Sequence, residues 1–446
     1  MKIAVWDVTS KCNLRCHHCY NADMYFTNNQ CDDLNIEQIT KMMHMLKAAN
    51  FTHLQLLGGE PFCSPYIMKI LEQAKHFEFE VFVTTNGTIM PDNFLQAIFQ
   101  SSISQLSISL ESHLEKKNDV IRGIGSYKKA VDNFKKIVSY NAQRKFRIGV
   151  SFTLTKINYK DMLNMIQMVS ELGGDYVIFS DFIDSGNGKK YSSDLQEDIN
   201  EIQKYMIDYL PQIAKQYPHI QIQLDVRPYI VLYLRRRYRL KNLLYTPSIC
   251  DCLAGENMWY ITANGNLHPC NVMINQEIPD LPSELIQVDN INVKDFSCFK
   301  DMLENDYYKK FLYYKNYSKV HRKQICMDCE LRNECFPCFI KLCQEETIPE
   351  CEYIKKIESA YYRTMKNVTP ILSENIVLYP KKDGSGVIWD IKNDKEYTLS
   401  HQEYTIIDAV DGCITFSDIY QKCAPIKESV VYKFLHDCRF NDIVIF

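Results

Sequence analysis

The chain has 446 residues, 46% of them hydrophobic, and a formal net charge of −4. That length implies two or three domains with a sizeable core, and nothing in the faintly acidic balance suggests nucleic acid or an anionic membrane as the main partner. Cysteines number 18, yet Met1-Lys2-Ile3-Ala4-Val5-Trp6 runs straight into a strand with no secretion signal, and no apolar run is long enough to cross a bilayer. The thiols are therefore expected to serve metals in a reducing cytoplasm, not disulfides.

Over residues 1–220 strand-like and helix-like segments alternate. The strand-like runs are Ile3–Thr9, His53–Leu57, Glu80–Thr85, Gln105–Leu110, Phe146–Leu154 and Tyr176–Asp181. Between them lie the amphipathic stretches Ile36–Ala48, Pro65–His76, Tyr127–Tyr140 and Tyr159–Leu172. Repeated β–α units predict an α/β fold with a parallel sheet, a partial barrel of six units, and a ligand at the C-terminal strand ends.

The polar motifs fall at those ends. After the first strand comes Cys12-Asn13-Leu14-Arg15-Cys16-His17-His18-Cys19, spaced C-x3-C-x2-C. Three thiolates on one short loop can hold three irons of a cubane [4Fe–4S] cluster and leave the fourth iron open. A structural zinc site closes with four ligands, and the candidates at hand, His17 and His18, are crowded between the thiols. His18 is either a stacking ring or a surface histidine. The second strand ends in Gly58-Gly59-Glu60-Pro61. The glycines permit close backbone approach and positive φ, Glu60 can pair with a cationic amino group, and Pro61 stiffens the exit. By itself this is an ordinary βα turn. The third strand ends in Thr84-Thr85-Asn86-Gly87. The fourth carries Ser107-Ile108-Ser109-Leu110-Glu111, and Arg122-Gly123 follows. The fifth offers Ser151 and Thr153, with Asn158 beyond. Alternation turns these toward the barrel interior, or their hydroxyls serve the backbone.

In the middle of the chain, Ser185–Lys190 reads as a flexible loop, Asp194–Gln216 as a helix and His219–Val226 as a strand. Arg235-Arg236-Arg237-Tyr238-Arg239 reads as a solvated helix face. A second cysteine zone opens with Cys250 and Cys252. Trp259–Cys270 contains Asn264-Gly265 and predicts a hairpin bringing Cys252 and Cys270 together. Then come Cys326, Cys329, Cys335, Cys338, Cys343 and Cys351. C-x2-C-x5-C-x2-C is a metal pattern that a pair of zinc ions could also satisfy. Cys31, Cys63, Cys298, Cys413, Cys423 and Cys438 are isolated and read as idle or buried thiols. From about residue 368, three short strands (Asn375–Tyr379, Gly386–Asp390, Glu396–Leu399) precede three helices (Gln402–Val410, Phe416–Cys423, Glu428–Cys438). Ser400 and Thr415 stand at N-cap positions.

The N-terminal triplet, followed by Gly58-Gly59-Glu60-Pro61 and Thr85-Asn86-Gly87, resembles the radical S-adenosylmethionine (SAM) enzymes. The resemblance implies that Cys12, Cys16 and Cys19 carry the cluster. It also implies that SAM takes the open iron and is cleaved to a 5′-deoxyadenosyl radical. Gly58, Gly59, Glu60, Pro61, Asn86, Ser109, Glu111, Arg122, Ser151 and His18 are the implied SAM contacts; Glu111 stands where the family usually has Asp. The second zone resembles the SPASM extension, with two auxiliary [4Fe–4S] clusters. One would use Cys252, Cys270 and Cys338, with Cys250 as a fourth ligand. The other would use Cys326, Cys329, Cys335 and Cys351, with Cys343 an alternative in either. The last piece is similar to the PqqD-type recognition element, which binds the leader of a ribosomally made peptide as an added strand. The implied layout is a barrel at 1–220, a linker and SPASM region at 221–367 and a leader-binding domain at 368–446. The implied function is a cytoplasmic peptide maturase that forms a thioether or carbon–carbon crosslink, fed electrons by a reductase, flavodoxin or ferredoxin. A sulfatase-maturase-like oxidase, a small-molecule radical enzyme and a non-catalytic metal scaffold are the rival readings.

Overall fold

A computed structural model describes residues 1–25, 32–90, 92–226, 228–245, 252–271, 291–320 and 363–446. These fall into two compact units. One comprises Met1–Pro228 and the described part of 242–322; the other comprises Tyr229–Lys241 and the described part of 347–446.

The first unit is built on one sheet. Strands β1 (Ile3–Asp7), β2 (His53–Leu57), β3 (Glu80–Thr85), β4 (Ile103–Ser109), β5 (Arg147–Thr153), β6 (Tyr176–Ser180), β7 (Gln221–Asp225) and β8 (Leu243–Tyr245) follow one another in space as in sequence. All these neighbours pair parallel. β9 (Met258–Ile261) joins the other flank of β1, also parallel, and β10 (Leu267–His268) folds back antiparallel on β9. The six expected units are thus present and extended on both sides. The hairpin at 259–270 is present, with Gly265 at φ +93° in its turn. That β9 pairs with β1 was not legible, because alternation along a strand says which face is buried and not which strand lies beside it.

The crossover helices bury one stripe each. In the helix Ile36–Ala48, Ile39, Met42, Met43 and Leu46 recur at three- and four-residue spacing and are buried against the sheet side of the helix. Asn35 and Gln38 close its N-terminus reciprocally. Every residue of β1 is buried, as expected of a parallel strand covered on both faces.

The second unit contains a three-stranded antiparallel sheet, β12 (Ile376–Pro380), β13 (Gly386–Asp390) and β14 (Lys395–Leu399), with β13 central. A short pair, β11 (Ile371–Leu372) with β15 (Val444–Ile445), lies apart from it. Helices His401–Asp408, Phe416–Lys422 and Glu428–Phe440 share its core, which includes Ile388, Leu399, Ile406, Ile407, Ile419, Val431 and Leu435. Ser400 and Thr415 are N-caps, each in a capping box with Glu403 and Asp418. Arg235 and Arg237 lie on the helix Pro228–Tyr238 and Arg239 just past its end, and the side chains of Arg235 and Arg239 find partners in the second unit. Arg235 sits 5.0 Å over the Phe440 ring, and Arg239 pairs with Asp442. A guanidinium's flat apolar surface favours such stacking, which charge counting along the sequence does not register.

Candidate functional site

The loop of three cysteines is held from four directions. Thr9 Oγ1 and Ser10 N donate to the Asp33 carboxylate at 2.6 and 3.0 Å. Gly59 N donates to Thr9 O and Glu60 N to Lys11 O, both at 2.8 Å. His17 N donates to Ile121 O at 2.8 Å. Asn187 Nδ2 reaches Cys16 O and its backbone N reaches Cys19 O, both at 3.0 Å. The close approach that Gly58-Gly59 permits is to this loop's own backbone. A Cβ on Gly59 would lie 2.3 Å from Lys11 O, and one on Gly58, at φ +136°, 2.6 Å from Thr9 O.

The segment 185–190 is not the flexible loop expected. It folds as a short helix, Asn187–Lys190, entered through Gly186, where a Cβ would meet Tyr20 O at 2.6 Å. The ring of the following Tyr191 stacks on His17, with centroids 4.0 Å apart. Asp33, Asn187 and Tyr191 went unread because nothing in their local sequence says that they pack on residues far along the chain.

The thiols of Cys12, Cys16 and Cys19 are half-buried neighbours. Burial, then mutual repulsion of their negative charges, pushes Cys19 up to about 12. Burial pushes Cys16 to about 11 against the opposing pull of Arg122, and Cys12 rises as well. A donor set of this kind stays protonated until a metal replaces the protons. Among the described residues no three or more His, Cys, Asp or Glu side chains are arranged to hold a single metal ion. A cubane spreads its thiolates over separate irons, so three neighbouring cysteines on one loop suit it.

Around this loop the polar residues form two buried networks. Glu60 caps the 3-10 turn Pro61–Cys63. It accepts from Phe62 N (3.1 Å), Thr85 Oγ1 (2.6 Å) and Asn86 N (2.7 Å). Burial raises its carboxyl, and these donors only partly oppose that. Asn86 in turn donates to Asn13 Oδ1 at 2.9 Å and so ties the third strand end to the cysteine loop.

The second network centres on Glu111, which is fully buried. Its Oε1 accepts from Arg122 Nε (2.9 Å) and Nη2 (2.6 Å) and lies 3.3 Å from His18 Nε2. Its Oε2 accepts from Thr153 N at 2.7 Å. Burial would raise this carboxyl, but the Arg122 guanidinium and His18 outweigh it and hold it at about 2. His18 is therefore turned inward, not a surface histidine. Asn158 donates to the backbone carbonyls of Glu111 and Thr153. Ser109 and Ser151 are register partners on β4 and β5.

A further group was not anticipated. Asp7, at the end of β1, is buried, and its Oδ2 accepts from the hydroxyls of Tyr25 and Tyr260 and from Asn21 Nδ2 at 3.2 Å. Burial pushes its carboxyl up to about 6, with the tyrosine hydrogen bonds opposing. A lone acid closing an otherwise apolar strand was the available signal.

Of the second cysteine zone, Cys252 and Cys270 lie within the described residues. The buried Lys315 donates to Cys252 O (2.8 Å) and Ala254 O (2.9 Å) and pairs with Glu256. Cys270 Sγ contacts Asn271 Oδ1 at 3.5 Å. Cys250, Cys326, Cys329, Cys335, Cys338, Cys343 and Cys351 lie outside the described residues.

Residues 6–181 match the radical SAM superfamily. The AdoMet-dependent heme synthase of Methanosarcina barkeri is 20% identical over 281 residues, covering 61% of this chain and 77% of that protein. The antilisterial bacteriocin subtilosin biosynthesis protein AlbA of Bacillus subtilis is 26% identical over 342 residues, covering 72% of this chain and 70% of that one. Streptococcus suis SuiB, solved bound to S-adenosylmethionine, superposes with a TM-score of 0.59 at 15% identity over 78% of this chain and 75% of its own. SuiB has also been solved bound to the precursor peptide SuiA. The likeness to SuiB is one of fold.

Proposed function

We propose, from the premise that this chain is a radical SAM enzyme, that it modifies a ribosomally synthesised precursor peptide, forming a thioether or carbon–carbon crosslink. The observation that carries this reading is the second unit. Its three-stranded sheet has β12 and β14 as outer strands. An extended leader can add to such an edge through main-chain hydrogen bonds. The relation to AlbA and the fold shared with SuiB support the same substrate class.

In this reading Cys12, Cys16 and Cys19 hold a [4Fe–4S] cluster. With SAM bound, that cluster would supply the radical chemistry that removes an unactivated hydrogen from the peptide. Glu60 has three protein donors on its two oxygens, which leaves acceptor capacity for the SAM amino group. Gly58, Gly59 and Pro61 fix the position of Glu60, and Asn86, Ser109, Ser151, His18, Glu111 and Arg122 line the same strand ends. Cys252, Cys270, Cys338 and Cys250 hold one auxiliary cluster. Cys326, Cys329, Cys335 and Cys351 hold the other, with Cys343 an alternative ligand in either. A flavodoxin, ferredoxin or reductase feeds electrons in the cytoplasm. No helix among the described residues is long and apolar enough to cross a membrane. The domain at 368–446 keeps the core peptide near the barrel by holding its leader.

Co-expression with the precursor peptide encoded beside it, followed by mass spectrometry, tests the proposal. The expected product has lost a pair of hydrogens per crosslink. An unmodified peptide, of unchanged mass and unchanged α-carbon configuration, would sink the reading. The match to a heme synthase favours a small-molecule radical enzyme as the second reading. SAM cleavage stimulated by a small molecule and not by the peptide would select it.

A further inference from the structure

The Arg122 guanidinium is held at one end and aimed at the other. Two of its nitrogens, Nε and Nη2, are committed to Glu111 Oε1. The third, Nη1, lies 3.9 Å from Cys16 Sγ. Glu111 cannot swing away. Its second oxygen is taken by Thr153 N, its backbone N donates to Asn118 Oδ1 at 2.9 Å, and its carbonyl accepts from Asn158. Both side chains are almost wholly buried, so water screens this charge little.

The surroundings make a positive charge consequential here. The helix Glu115–Arg122 ends at the cysteine loop, where Ile121 O accepts from His17 N and Arg122 O lies 4.0 Å from Cys16 Sγ. Carbonyls at a helix C-terminus disfavour a thiolate nearby. Arg122 places the opposing charge at the same sulfur. The spread of Glu111 over three partners also accounts for its length. It reaches Arg122, His18 and Thr153 N together, and an aspartate would be one methylene short.

We propose that Glu111 is a positioning residue that fixes Arg122 Nη1 on Cys16 Sγ, and that this contact sets the reduction potential of the cluster the three thiols carry. The proposal rests on the cluster assignment given above. A fixed cation beside a ligating sulfur favours the reduced cluster, which carries one more negative charge, so displacing it makes reduction harder.

The test is a spectroscopically monitored redox titration of the reconstituted full chain without SAM, so that contacts between Arg122 and SAM do not enter. Signals lost in the C12A/C16A/C19A triple variant define the cluster in question. E111D keeps the charge and moves only its position. R122Q removes the guanidinium. Each is expected to make the cluster harder to reduce by about tenfold, which is about 59 mV for one electron. In the R122Q background, E111D is expected to add no further lowering, since nothing is left to position. R122K, which keeps the charge but cannot fork to Glu111 and reach Cys16 together, is expected to fall between wild type and R122Q and covers the case of an E111D protein that does not fold. Unchanged potentials in R122Q and R122K overturn the proposal, as does an E111D shift of equal size in both backgrounds. A triple variant that keeps the wild-type iron and spectrum instead overturns the cluster assignment.

Discussion

At Asp7 burial and hydrogen bonding pull against each other within a single residue. Its carboxyl lies at about 6 in the folded chain against an ordinary 3.8. The folded state therefore binds the proton more tightly than the unfolded state. The stability this confers is fully present below about pH 4 and is lost as pH rises through about 6. The difference of about two pKa units corresponds to about 3 kcal/mol. Asp7→Asn keeps the shape and removes the titration. Urea unfolding of the cluster-free wild type and variant across that range is expected to show the wild type losing about 3 kcal/mol relative to the variant. A difference between them that stays flat with pH would show that Asp7 does not titrate in this window. The cysteine spacing and Gly58-Gly59-Glu60 were legible because each is local. The Tyr25, Tyr260 and Asn21 partners of Asp7 were not, since Tyr260 stands 253 positions away.

At the scale of elements, the turn after β2 acts as the seat of the cysteine loop. Gly59→Ala places a methyl group 2.3 Å from Lys11 O, a backbone atom that cannot rotate aside. Overpacking of this kind costs about 2 kcal/mol. The expected result is that loss in denaturant unfolding, together with a lower iron content after reconstitution than in wild type. A Gly59→Ala protein with wild-type stability and iron content would mean that the turn is free to relax. β2 and β3 were read to the residue, because their short β-rich runs are bounded by turn residues. β8, three residues long, carries too short a pattern to read, and the pairing of β9 with β1 is a long-range choice that no window along the sequence contains.

Over the whole molecule, the proposed function gives chemistry and recognition to different units. The second unit has its own hydrophobic core and its own three-stranded sheet. Deletion of 363–446 is therefore expected to leave peptide-independent SAM cleavage intact while raising the peptide concentration for half-maximal modification roughly a hundredfold, the loss expected when a tethered substrate becomes a free one. Steady-state kinetics of the two chains on the same peptide measure this. An unchanged half-saturation would remove the second unit from recognition.

The clamps on the cysteine loop also have a bearing on synthesis. Cys16 leaves the ribosome 171 positions ahead of Asn187, whose side chain holds its carbonyl. At ordinary translation speeds that is a delay of roughly ten to thirty seconds. Until then the clamp from Asn187 is missing. The closing of the loop is thereby timed by the chain itself: the Asn187 clamp forms only after β6 and the turn beyond it have been made. The cysteine loop, made before every strand of its sheet but β1, gains this clamp only after β6, with β7 to β10 still to come.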